Sequence, residues 1–144
     1  MELPFQVLHA AARLPTAAHV DDAGLDLRSV EARTIGPGDR ALVPVGLVVE
    51  IPPGHAGLVI PRSGLAARHG ITILNAPGLV DAGYRGELMV ALLNTDRAEP
   101  FAIDVGDRIA QLVIVALPAV QPVLAGRLSG SARGEGGFGS TGRG

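Results

Sequence analysis

The chain has 144 residues, the length of one ordinary domain and enough for a real core. Its net charge is −2 and all 12 of its basic residues are arginine, so it lacks the broad positive field of a nucleic-acid binder. It has no cysteine, which excludes disulfides and thiolate metal sites and fits a cytoplasmic setting, and no apolar run nears the roughly 20 residues of a membrane helix.

The opening MELPFQVLHA has no basic region ahead of an apolar one, so no secretory signal is expected. Short apolar runs cut by Gly, Pro and Asp then follow. Ala23-Gly24-Leu25-Asp26-Leu27 sets a carboxylate inside a strand-like alternation. ALVPVGLVVEI (41–51) reads as strand and stops at Pro52-Pro53-Gly54; AGLVI (56–60) comes next. SGLAARHG (63–70) breaks the pattern, with Ser63 as N-cap, good helix formers and Gly70 as the stop, which predicts one helix of about two turns. ITIL (71–74), ELMVALLN (87–94) and RIAQLVIVAL (108–117) return to strand composition. Pro37-Gly38-Asp39-Arg40 and Val105-Gly106-Asp107-Arg108 look like one turn solution used twice. Turn signals recurring about every ten residues predict an all-β sandwich or barrel.

Several enzyme classes are disfavoured by what is missing. Without lysine there is no Walker-type phosphate loop, no G-x-S-x-G elbow occurs, and the four histidines lack zinc-ligand spacing. Five polar, Gly-containing segments remain. Asp26 lies in the first. Arg62, Ser63 and Gly64 open the predicted helix, where free N–H groups favour an anion; the plainer reading is a cap and a solvated arginine. Residues 75–87 join two strands with about a dozen residues, where a simple hairpin needs about two to five. That excursion is either a pocket wall built from Asn75, Asp81 and Tyr84, or a surface loop. Gln111 sits among apolar strand residues and either ties off backbone groups or faces a polar site. The closing segment 132–144, with Arg133 and Phe138 among six glycines, is either a frayed end or a lid.

Taken together and in order, AGLDLRS, PRSGLA, NAPGLVDAGYRGE, GDRIAQL and RGEGGFGSTG resemble the five motifs of the trimeric dUTP pyrophosphatase (dUTPase) family, across residues 23 to 142. The resemblance implies an all-β, distorted jelly-roll-like domain over 1–131 and a mobile arm over 132–144. It also implies a homotrimer with active sites shared between subunits. The implied reaction is Mg²⁺-assisted hydrolysis of dUTP to dUMP and pyrophosphate, which limits uracil in DNA and supplies dUMP for dTMP synthesis.

The resemblance also implies roles. Asp81 would orient and deprotonate the attacking water, and Asp26 would contact Mg²⁺ through water. Arg62, Ser63 and Gly64 would hold the β and γ phosphates, with Gln111 near the α-phosphate and the water. Asn75 and nearby backbone would read uracil, and Tyr84 would stack on the sugar and exclude a 2′-hydroxyl. Arg133 would pair with the γ-phosphate and Phe138 would cover the base. Gly136, Gly137 and Gly139 would let the main chain approach, and Ser140 and Thr141 would offer hydroxyls. A dCTP deaminase, which shares the fold, carries a catalytic Glu where this chain has Ala91. A non-hydrolysing binding module and a plain β-sandwich are the other rivals.

Overall fold

The structure, a computed structural model, describes residues 1–132, 134 and 135. In chain order the strands are β1 (Phe5–Val7), β2 (Leu25–Arg28), β3 (Arg33–Ile35), β4 (Arg40–Pro44), β5 (Leu47–Val49) and β6 (His55–Ile60). The helix α1 (Ser63–His69) follows, then β7 (Ile71–Ile73), β8 (Gly78–Asp81), β9 (Met89–Asn94), β10 (Phe101–Ile103) and β11 (Arg108–Ala116). The expected all-β class with one short helix is what the chain adopts. Sheets of order β2-β11-β6-β8 and β4-β9-β7 are joined by the pairs β1-β5 and β10-β3, and every pairing is antiparallel.

One core serves all four sheets. Leu27, Val59, Val80 and Leu112 from the larger sheet meet Val43, Val90, Leu92 and Ile71 from the second, with Leu47, Val49, Ile35 and Ile103 from the pairs. The alternation is visible in β8 and β9, where every second residue is buried, as expected of strands with one wet face. Burying a Leu or Ile of this kind contributes about 1.5–3 kcal/mol.

The apolar stretch 41–51 is not one strand. Gly46, at φ 71°, turns the chain from β4, which pairs with β9, to β5, which pairs with β1. A Cβ there would lie 2.8 Å from Val30 and 2.9 Å from His9, so only glycine fits the corner. The Gly46 N–H donates to Glu87 Oε1 at 2.8 Å. Thus Glu87, one of two carboxylates in the long hairpin, ties the end of that hairpin to the Gly46 corner.

The repeated turn is real: Gly38 and Gly106 both take positive φ, and Asp39 N–H and Asp107 N–H both donate three residues back. The turns lead into β4 and β11. Helix α1 ends as expected, with Gly70 at φ 63° donating to Ala66 and Leu65 carbonyls. Its start differs. Arg62, at φ −90° and ψ 124°, occupies the cap position and makes no side-chain cap bond, while Ser63 is the first helical residue. The earlier start follows because Arg62 leaves β6 still extended and turns its side chain elsewhere. His69 ends the helix against Phe101, ring centroids 5.4 Å apart.

Candidate active site

Register brings the first group together. In the β2–β11 pairing Gln111 stands directly opposite Asp26, so both side chains leave the same face. Gln111 also pairs with Ile60, the last residue of β6, from which Pro61 and Arg62 lead into α1. Asp26, Gln111 and the head of the helix with Arg62, Ser63 and Gly64 are therefore neighbours by topology. Gly24 keeps them close: a Cβ there would lie 3.1 Å from Gln111 Cδ and Nε2.

Asp26 is only 6% exposed and is held by two guanidinium groups. Arg62 Nε donates to Oδ1 at 3.2 Å, and Arg108 Nη1 donates to Oδ2 at 3.1 Å. Arg62 Nη1 also donates to the Arg108 carbonyl at 3.2 Å. Two cations against one carboxylate leave one net positive charge, and the arginines are 22% and 41% exposed, within reach of a ligand. Such a corner attracts an anion with several oxygens. A cavity of about 210 Å³ opens beside them, lined by Arg62, Arg108 and Asp107 on its polar side and by Leu65, Phe101 and Ile109. Sequence reasoning gave Arg108 no role, although it lies in the GDRIAQL segment. Its signal was a charged residue entering an apolar strand.

The second group lies along the long hairpin. β7 and β9 pair antiparallel, as a hairpin requires, yet the connection is not a loop. It contains β8, which leaves the β7–β9 sheet and pairs with β6, Gly78 against Val59 and Asp81 against Ala56. Between β8 and β9 a narrow cleft of about 70 Å³ is bounded by Asn75, Gly78, Val80, Met89 and Ala91. Asp81 is exposed at the end of β8, and its carbonyl accepts the Tyr84 N–H at 3.0 Å, closing a turn. The Tyr84 hydroxyl donates to the Glu87 carbonyl at 2.9 Å, so the ring is 44% exposed but tethered. Arg85 braces the same turn by donating to the Ala82 and Tyr84 carbonyls and to Glu50.

The two groups do not meet within one chain. Asp81 pairs at one end of β6 and Gln111 at the other, on opposite sides of it. Four residues along a strand and two strand spacings across put their backbones about 16 Å apart. Of the arm, Arg133, Phe138, Gly139, Ser140 and Thr141 lie outside the described residues.

The dUTPase family model matches residues 10–142. The chain belongs to the dUTPase family. A deoxyuridine 5'-triphosphate nucleotidohydrolase of Leifsonia xyli is 54% identical over 132 residues, covering 92% of this chain and 87% of the relative. One from Solibacter usitatus is 50% identical over 145 residues, covering 99% and 97%. Among solved structures, the Staphylococcus bacteriophage 80alpha dUTPase with dUpNHpp superposes with a TM-score of 0.92 at 31% identity, covering 98% of both chains. A mutant dUTPase from phage phi11 of S. aureus, solved with a structural Mg(II) ion, gives a TM-score of 0.84 at 27% identity, covering 90% of this chain and 100% of that one.

This dUTPase chain can accommodate a hard cation only in a particular way. Among the described residues, no three His, Cys, Asp or Glu side chains cluster to cage a metal. Each Asp26 oxygen accepts one arginine bond and keeps acceptor capacity. Because the corner is net cationic, that donor set fits Mg²⁺ only together with substrate phosphate oxygens, the ion keeping several waters beside the carboxylate.

Proposed function

We propose that this chain hydrolyses dUTP to dUMP and pyrophosphate, and does so as a homotrimer whose sites draw residues from more than one chain. One observation carries the reading. In a dUTPase-family chain, Asp26, Arg62 and Gln111 converge on a cationic corner, while Asp81 and Tyr84 form a separate group along the hairpin. The roughly 16 Å between the backbones of Asp81 and Gln111 exceeds what the two side chains and one shared water can span, since each hydrogen bond adds only about 3 Å. A second copy can supply the missing half.

In the assembled site Asp81 accepts a proton from water as the water oxygen bonds to the α-phosphorus. The bond to the bridging oxygen breaks and pyrophosphate leaves. Because little covalent chemistry falls to the protein, alignment and charge stabilisation dominate. Arg62, with Ser63 and Gly64, holds the β and γ phosphates; Gln111 orients the α-phosphate and water. Asp26 would hold Mg²⁺ through water, and the ion would supply neutralisation of phosphate charge there. Asn75 reads the uracil edge at the narrow cleft, and the tethered Tyr84 ring forms a wall against a 2′-hydroxyl. A site that pairs uracil's O4 and N3–H leaves polar groups unmatched when cytosine enters, and such mismatches can discriminate by about 10⁴-fold. The arm, with Arg133, Phe138, Gly136, Gly137, Gly139, Ser140 and Thr141, closes over the nucleotide.

Ala91 bounds the cleft and has no group to shuttle protons, which favours hydrolysis over deamination of dCTP. Among the described residues, no helix is long and apolar enough to cross a membrane. We place the enzyme in the cytoplasm, where it would limit uracil in DNA and feed dTMP synthesis.

The test combines an assay with chain mixing. Pyrophosphate release is expected with dUTP and Mg²⁺ and not with UTP, TTP or dCTP; in ¹⁸O-water the label enters dUMP. Asp81→Asn and Gln111→Ala are each expected to retain the imido analogue of dUTP while losing turnover by about 10²–10⁴-fold. Unfolded and refolded together, the two inactive variants regain activity, because mixed sites pair an intact Asp81 with an intact Gln111 from another chain. No recovery on mixing would defeat the shared site, and label in pyrophosphate would defeat the attack at the α-phosphorus.

A further inference from the structure

We infer that Arg108 is a positioning residue for Asp26, delivered to it by a one-residue bulge in β11, so that Arg62 can leave Asp26 for substrate phosphate without stranding a buried carboxylate. The inference rests on the proposed roles of Asp26 and Arg62.

The bulge comes first. Along β2 and β11 the paired residues are Leu25–Leu112, Asp26–Gln111 and Leu27–Ala110, but the next pair is Arg28–Arg108, with Ile109 left over. Strand side chains alternate between faces, so in a regular strand Arg108 would point away from Gln111, three residues on. The extra residue reverses that parity. Arg108 joins Gln111, Asp26 and Arg28 on one face, while Ile109 and Ala110 are both buried. Bulges recur beside active sites because they re-aim a single side chain in this manner. Its effect is visible in the 3.1 Å bond from Arg108 Nη1 to Asp26 Oδ2.

An exposed ion pair would carry little weight. Here the carboxylate is 6% exposed, and the other arginine on it is the one assigned to phosphate. As Arg62 turns toward phosphate, its bond to Oδ1 is lost. Without Arg108, Asp26 would then be a nearly buried carboxylate with no cationic side chain bonded to it directly, a state that is unfavourable. With Arg108, Oδ2 stays pinned and Oδ1 faces the ligand. Two arginines on one acid thus make a relay in which one partner is released and the other holds.

The experiment is a double-mutant cycle between positions 108 and 26, read by affinity for the imido analogue of dUTP. Arg108→Gln is expected to weaken binding about tenfold or more, since a charge-assisted bond to a buried acid is lost. Arg108→Lys, which keeps the charge, is expected to recover most of that loss. In an Asp26→Asn background, Arg108→Gln is expected to change affinity by less than about twofold, because its effect runs through the carboxylate. A loss of the same size in that background would overturn the inference, since it would mean that Arg108 touches the nucleotide directly or acts only on folding. Should Arg108→Gln not fold cooperatively, the Arg108→Lys cycle reads the same coupling at smaller amplitude, and additive effects there overturn it equally. If Asp26→Asn binds and turns over like the wild type, the proposed role of Asp26 fails instead.

Discussion

Replacing Gly24 with alanine should separate catalysis from stability. Gly24 does not take positive φ, so its backbone places no demand for glycine; the constraint is space. An added Cβ would stand 3.1 Å from Gln111 Cδ and Nε2, and 3.2 Å from Gln111 Cβ. Ordinary contact needs several tenths of an ångström more. The carboxamide can swing away, but the Gln111 Cβ is fixed to β11, so rotation alone does not relieve the contact. Overpacking of this modest size costs about 1 kcal/mol at the low end of its range. Against that, Gly→Ala at a permitted backbone geometry stabilises by about 0.4–1 kcal/mol through the unfolded chain. The two nearly cancel, and Tm should move by only a few degrees. Turnover should not be spared. A misplacement of about 1 Å costs about 100-fold, so a shift of several tenths of an ångström at the group proposed to align phosphate and water should cost about 10-fold or more. The expected result is kcat lowered about 10- to 100-fold, with Tm nearly unchanged and binding of the imido analogue reduced less than kcat. In a Gln111→Gly background the same substitution should do little. An unchanged kcat, or an equal loss in that background, would refute the idea that Gly24 works by making room for Gln111.

Removing residues 132–144 should leave the oligomer intact by light scattering while turnover falls by orders of magnitude, because the proposed contacts of Arg133 and Phe138 with the nucleotide are lost; full activity in the truncated enzyme would return the arm to an inert terminus. At the turn after β9, the Asp96 carboxyl is held below its ordinary value of 3.8, chiefly because it accepts the Glu99 N–H and next the Ala98 N–H. A lowered carboxylate stabilises the fold above its unfolded value and loses that contribution as pH falls through the folded one. Asp96→Ala should therefore lower Tm at neutral pH, with the gap to wild type shrinking as pH drops below 3.8; a gap that stays constant through that acid limb would remove the ionised carboxylate as its source.

Local chemistry was the readable part. Gly70 stops the helix because only a residue tolerant of φ 63° can close it, and the twin Gly-Asp-Arg turns precede strands for the same local reason. The hairpin length correctly marked a place where the chain does more than turn. What it does there was hidden, because β8 finds its partner in β6, outside the hairpin, and nothing between residues 75 and 87 names that partner. The corner at Gly46 was hidden for a related reason. Its residues are apolar on both sides, and only the crowding from Val30, His9 and Ala12 distinguishes a bend from a continuing strand.

The site adds a harder case. Asp26 meets arginines 36 and 82 positions away, and one of those contacts exists only because β11 carries an extra residue. A bulge shifts parity without altering composition, so a period-two reading of GDRIAQL assigns Arg108 to the wrong face however carefully it is done. Motif order has a further blind spot. It strings Asp26, Arg62, Asp81 and Gln111 along one chain as if they shared one pocket, whereas β6 holds the last two at its opposite ends. Sequence motifs report which groups a reaction needs and are silent on which copy supplies each. It takes the register of three paired strands to show that Asp81 and Gln111, set side by side by the motifs, stand apart in one chain, and that separation is what supports the proposal of a shared site.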